Sequence, residues 1–470
     1  MKHIQAFVSA ALLFGVSQAA KELEFIAEIG THGHSYFPLQ SRFKHMIQTD
    51  EPIEDYTYKN ITPLGIRQQY LIGQELRRRY VTNLTAGTEI EGYSTPFLNY
   101  SYRIQEMFMR TAGNSQSYIS ANAQMIGLYP PETCNQRLTE WQKKNVRPPL
   151  FEGISDEEVE ALGDFATKGG FTPFDIFNQY QTEDQMNDYN GLGCKRYSQL
   201  RELSHQSEEF ETIKNNLTQQ YLQYLSDHTS EPIKTYDDAL ELCQFIYDAW
   251  IDGYDFSKFE YDDKLKNVCQ KFMESQAYYK LYAHKDLRIL KISELSQLLT
   301  ARLYALVDQE EFQSDKELDA EYKWLLSVHQ YQMKFNNFNK IIEFKMFMFL
   351  GESWNVKAFL SIVSDQFKFD FISPSSLIIL EVYDEESENE QGVKVQKASV
   401  KVKYNDELVT LNGRCLGKTE CDIFDFIQTL RDQGQILSKN MRDVCGQEIS
   451  KSDTFEFESP SEILNYLNSY

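Results

Sequence analysis

Cysteines at CxxC spacing are absent from this 470-residue chain, which removes the ordinary zinc and dithiol redox motifs. Positive charge is scarce: 47 Lys and Arg stand against 70 Asp and Glu, giving a formal charge of −23 and a pI near 4.9. That balance argues against a nucleic-acid footprint and mainly serves solubility. Beyond the first twenty residues, no apolar run reaches the ~20 residues of a transmembrane helix. The nearest, 341–350, is interrupted by Glu343 and Lys345. Internal repeats and low-complexity tracts are missing as well.

What is present points to export. Residues 1–20 have a basic start at Lys2, an apolar stretch from Ile4 to Val16 and a Ser17-Gln18-Ala19 cleavage pattern, the layout of a secretory signal. Sequons at Asn60, Asn83, Asn99 and Asn216 agree with that route. The seven cysteines are Cys134, Cys194, Cys243, Cys269, Cys415, Cys421 and Cys445. In an exported chain they favour disulfides, with one thiol left over.

The stretch up to Pro131 alternates strand-like and helix-like segments, the α/β signature. Leu23–Gly30 is a short strand-forming run followed at once by Thr31, His32, Gly33, His34 and Ser35. Thr62-Pro63 opens a helix to Tyr80 whose apolar positions Ile66, Tyr70, Ile72, Leu76 and Tyr80 recur at roughly helical spacing. From Cys134 the composition turns to charged, Gln- and Tyr-rich helical patterns. Lys323–His329 reads as a strand; Leu377–Tyr383 and Ser399–Tyr404 read as a hairpin around an acidic tip, Asp384–Gly392. Ligands of open α/β sheets sit beyond the carboxyl ends of the strands. His32, Arg110 and His329 each close a strand-like run, so together they suit an anion such as phosphate, with Arg110 supplying a planar fork of donors.

Several segments carry a resemblance. ITPLGIRQQYLIGQELRRRY (61–80), MRTAGNSQSYISANAQMIGLYPP (109–131), CKRYSQLREL from Cys194, SPSSLIILEVY from Ser373 and VKVKYNDELVTLNGRC (400–415) resemble, in order, motifs of the histidine acid phosphatases, in the acid phosphatase, phytase and lysophosphatidate phosphatase branch. The resemblance implies an α/β fold: a central mixed sheet flanked by helices, with an inserted α-helical cap. It implies a core of 21–133 and 286–470 and a mainly helical cap of 134–285. By the same resemblance Cys194 pairs with Cys445 and Cys415 with Cys421. Cys243 and Cys269 offer a bridge within the cap that leaves Cys134 free, a pairing the sequence leaves open.

The family's chemistry uses an R-H-G-x-R-x-P loop, a third arginine and a distal H-D pair. Carried over by position, His32 is the phosphoryl-accepting nucleophile, Arg110 the third arginine and His329 the distal histidine. Thr31 and Ser35 stand where the two loop arginines belong, and Gln330 where the general-acid aspartate belongs. Losing one preorganised donor costs ~10²- to 10³-fold in rate, and losing a general acid ~10²- to 10⁴-fold. The expectation is therefore a weak or inactive pseudophosphatase; the alternative is an active acid phosphatase working through His32 with a rearranged cradle and an acid from elsewhere, such as a cap carboxylate. A phosphomonoester or other small anion remains a candidate ligand, but a neutral or singly charged one suits the depleted pocket better. No cofactor, metal or nucleic acid is implied, and the setting is secreted or the lumen of a secretory or lysosomal-type pathway.

Overall fold

Leu23, Phe25, Ala27 and Ile29 alternate with Ile26 and Glu28 along the first strand, and both sets are buried, as a strand covered on both faces requires. The computed structural model describes residues 21–469 apart from 36–40, 49–59, 83–96, 134–136, 145–154, 179–183, 185–192, 257–258, 307–343, 389–393, 435–440 and 451–454. The expected signal, Asn83, Cys134, and the expected strand ending at His329 with Gln330 behind it lie outside the described residues.

An eight-stranded mixed sheet forms the centre. Its strands are β1 (Glu22–Thr31), β2 (Met107–Thr111), β3 (Phe177–Asn178), β4 (Met346–Gly351), β5 (Leu377–Glu388), β6 (Lys394–Tyr404), β7 (Glu407–Leu408) and β8 (Glu420–Asp422). They lie in the order β8-β6-β5-β1-β4-β2-β3, with β7 paired to β6. β1, β4, β2 and β3 run parallel, whereas β5 is antiparallel to β1 and to β6. The expected hairpin is therefore present, but its acidic tip is not simply a loop. Pairing continues to Glu388, and the register sets Glu385 opposite Lys397; opposite charges so placed favour pairing.

Helices cover both faces. α1 (Pro63–Arg77) and α2 (Ser115–Leu128) pack on one side with Ile26, Met109 and Met348; α7 (Lys285–Tyr304), α8 (Ser353–Val363) and α9 (Ile423–Gly434) pack on the other with Phe25, Ala27, Phe347 and Leu380. Thr62 caps α1 by accepting from the Gly65 amide, with Pro63 in the first turn, a favoured helix start. The inward face of α1 differs from the apolar count: Gly65, Gln69, Gly73 and Leu76 are buried, while Ile66 is 41% exposed. Small residues face inward here because neighbouring backbone lies too close for large ones.

A second core is built by α3 (Lys195–His205), α4 (Glu208–Thr229), α5 (Tyr236–Ile251) and α6 (Asp263–Ala277). Disulfides join Cys243 to Cys269 within it and Cys194 to Cys445 across to the C-terminal segment; Cys415 pairs with Cys421. α7 crosses the expected boundary at residue 286. Leu287 and Leu290 belong to the helical core, whereas Ile292 to Tyr304 belong to the sheet core. Of the described sequons, Asn99 donates its side-chain amide to Glu106, and Asn216 sits within α4, accepting from Gln220 at 3.2 Å. No helix among the described residues is long and apolar enough to cross a membrane.

Candidate active site

The loop after β1 is held from four directions. The His32 amide donates to Gly351 O at 3.0 Å, tying it to the end of β4, and His32 O accepts from the Ser375 amide at 3.0 Å. The Gly33 amide donates to Ser120 Oγ at 2.9 Å, and His34 O accepts from the Thr62 amide at 2.9 Å. Gln69 donates to Thr31 O at 3.0 Å. Gly33 and Gly65 meet so closely that a Cβ on Gly33 would lie 2.3 Å from Gly65 O. Glycine at both positions lets α1 start directly beneath the loop.

Thr31, His32 and Ser35 line a cleft of about 370 Å³ together with Glu241, Phe245, Tyr247 and Asp248 of α5, and with Glu352, Ser353 and Phe371. The group set against His32 is Glu352, which directly follows β4. Its Oε2 lies 3.6 Å from His32 Nε2, and its Oε1 accepts from Asn114 Nδ2 at 3.0 Å. His32 Nδ1 lies 2.7 Å from Gly33 O, so that nitrogen carries the proton and donates. Burial alone would lower the His32 pKa, but the Glu352 carboxylate, the Gly33 carbonyl and Asp248 together raise it. Burial pushes Glu352 up, yet His32, Lys291 and Lys280 bring it down on balance. Each group therefore favours the charged form of the other.

Asp248 adds a third acidic group. Burial pushes its pKa up to about 7, helped by Asp252 and resisted by His34 and His32. His34 itself is buried, with Nδ1 at 3.1 Å from Asp252 and Nε2 at 4.0 Å from Asp248. Glu241, at the rim, is met by Arg42 at 3.6 Å. Among the described lining residues no Lys or Arg occurs.

Sequence reasoning brought Thr31, His32 and Ser35 to one cleft, and the structure places them there. Arg110 is the penultimate residue of β2, and its guanidinium is spent within the protein: Asp184 accepts from it at 2.6 Å, and Glu294 lies 3.9 Å away, all three buried. Glu352 and Asp248 were missed. The signal for Glu352 was the apolar run MFMFLG, the mark of a strand buried on both faces, which attracts notice only as a run too short for a membrane. Asp248 gives no local signal, because its place beside the loop depends on how α5 packs.

Residues 21–341 match the family described as histidine phosphatase superfamily (branch 2). The chain is similar to the lysosomal acid phosphatase of Xenopus laevis, 27% identical over 246 residues that cover 51% of this chain and 44% of that protein. It is 23% identical to human lysosomal acid phosphatase over 230 residues, 49% of this chain and 43% of the relative. The matches thus span less than half the length of these relatives. Among solved structures, the apo phytase of Hafnia alvei superposes with a TM-score of 0.51 at 10% identity, covering 92% of this chain and 99% of that one, a likeness of fold.

Proposed function

Given that the chain belongs to the histidine phosphatase superfamily (branch 2), we propose that it is a secreted or lumenal pseudophosphatase, a scaffold of that family that binds a ligand without hydrolysing phosphomonoesters. One observation carries this reading: the cleft around His32 is walled by Glu241, Asp248 and Glu352 with no described Lys or Arg. Two unit charges of like sign ~5 Å apart repel by on the order of 3 kcal/mol at an effective dielectric of about 20. A phosphate dianion would meet that repulsion from Glu352 with the His32 ring but no arginine fork to offset it. Arg110, held by Asp184, is not offered to a ligand.

Thr31, in place of the first loop arginine, turns its hydroxyl to Ser373 O at 3.4 Å, and Ser35, in place of the second, is neutral. Beyond β4, the strand next to β1, stand Glu352 and Ser353, neither of which supplies positive charge. Glu352 also occupies His32 as an ion-pair partner, which blunts the imidazole as a nucleophile. The three disulfides and the similarity to lysosomal acid phosphatases support an oxidising, lumenal setting.

A second reading is favoured by one group. Asp248, with its pKa near 7, carries a proton in an acidic lumen and could protonate a leaving oxygen in an acid phosphatase with a rearranged cradle. Turnover of an aryl phosphate by the purified chain from about pH 4 to about pH 7, beside a His32→Ala control, decides between them. Both proteins inactive is the expected result. Hydrolysis by the parent that disappears in the control overturns the pseudophosphatase reading.

A further inference from the structure

The same cleft has the chemistry of a site for a cation. Asp248 and Glu352 both line it, and the wall beside them is aromatic: Phe245, Tyr247 and Phe371, the last two edge to face with centroids 5.0 Å apart. An aromatic face attracts a cation through its quadrupole, most strongly where water is excluded. Behind Asp248 sits His34, 1% exposed, whose Nε2 has no hydrogen-bond partner among the described residues and lies 4.0 Å from the Asp248 carboxylate. His34 Nδ1 is engaged by Asp252 and Thr62. The groups set against the Asp248 charge are the imidazoles of His34 and His32 rather than a Lys or Arg, and Asp248 lines the cleft.

A metal ion is a poorer fit. No group of three or more His, Cys, Asp or Glu among the described residues is arranged to hold one. A volume of about 370 Å³ suits a small organic molecule instead. We propose that the cleft binds a small organic amine, its ammonium group held at Asp248 beside the His32 and Glu352 pair and its apolar body laid against Tyr247 and Phe371. This rests on the part of the proposed function that makes the cleft a ligand-binding site, not on its lack of turnover. The aromatic wall favours an amine carried on a flat apolar body, and the Asp248 carboxylate sets it apart from its neutral counterpart.

The test is calorimetric titration of the purified chain at about pH 7.5 with 2-phenylethylamine, with 2-phenylethanol and with inorganic phosphate, beside aryl phosphate turnover on the same preparation. The amine should bind about tenfold or more tightly than the alcohol. Phosphate should bind more weakly than either. Asp248→Asn should weaken the amine about tenfold while leaving the alcohol unchanged, and Tyr247→Ala should weaken both, with circular dichroism confirming that each variant is folded. Equal affinity for amine and alcohol, no amine binding, preferred binding of phosphate, or unchanged amine affinity in folded Asp248→Asn would each overturn the proposal. Turnover with amine selectivity retained overturns the pseudophosphatase reading and supports the amine site. Neither turnover nor amine binding overturns the amine site alone.

Discussion

Glu352 Oε2 lies 3.6 Å from His32 Nε2, joining the residue after β4 to the residue after β1 across the carboxyl edge of the sheet. The pair lines the cleft, so its protonation state sets the charge that the cleft presents. The raised His32 pKa means that its stabilising effect is complete below its ordinary value of 6.5 and is lost as pH rises through the folded value. The lowered Glu352 pKa means that its effect is present above its ordinary 4.5 and is lost as pH falls through the folded value. The pair is strongest between those limits, which suits a mildly acidic lumen.

Replacing Glu352 by Gln removes the charge and keeps the shape. The His32 pKa should fall, because burial then acts with less opposition. Proton NMR titration of the His32 ring reads this directly, and a value that stays put or rises would contradict the pairing. At about pH 5.5 the variant should also lose on the order of 1 kcal/mol in denaturant unfolding, a loss that shrinks toward about pH 9.

Asp248 has the opposite dependence. Its folded pKa of about 7 lies above its ordinary 3.8, so the fold prefers the protonated acid, and ionising it costs stability progressively as pH rises from about 4 to about 7. Asp248→Asn removes that cost. Its melting temperature relative to the parent should climb across this interval and level off above it, with a gain of roughly 2 °C for each kcal/mol relieved. A difference in melting temperature that does not vary with pH would show that Asp248 ionises normally.

Much of the frame was legible because short-range chemistry specified it. Thr62-Pro63 announces α1, the β-branched runs at 377–383 and 399–404 announce the hairpin, and Cys194, Cys445, Cys415 and Cys421 pair as the resemblance implies. The electrostatics of the site were not legible. Whether Arg110 is free or bound depends on Asp184, 74 residues away, and Glu352 meets His32 because β4 lies beside β1. Ile66 misled for a related reason: apolar periodicity counts side chains, whereas the crossing at Gly65 and Gly73 is governed by their absence.

Arg110 and Asp184 form a pair with both side chains almost fully buried. Removing one partner strands the other charge, which costs about 3–5 kcal/mol, whereas replacing both by apolar groups is often nearly neutral. Asp184→Asn should therefore destabilise the protein by roughly 3 kcal/mol, and the double variant Arg110→Met with Asp184→Leu should recover part of that loss. Urea unfolding of the two variants checks both statements. A neutral Asp184→Asn would mean that Glu294 alone satisfies Arg110.

The contact beneath the loop gives the most local prediction. A Cβ on Gly65 would lie 2.2 Å from His34 O and 2.6 Å from His34 N, and backbone cannot swing aside as a side-chain tip can. Gly65→Ala must separate α1 from the His32 loop or abandon the Thr62 amide to His34 O bond of 2.9 Å. A cost of about 1–3 kcal/mol follows, as for other overpacked sites. Gly446, which has nothing within 4 Å of an added Cβ, supplies the control, since Gly446→Ala should change stability by less than about 0.5 kcal/mol. Because the loop carries His32, Gly65→Ala should also shift the His32 NMR signal while Gly446→Ala leaves it in place. If the two alanine variants unfold at the same urea concentration, the loop tolerates displacement and the tight Gly33 and Gly65 crossing does not position His32.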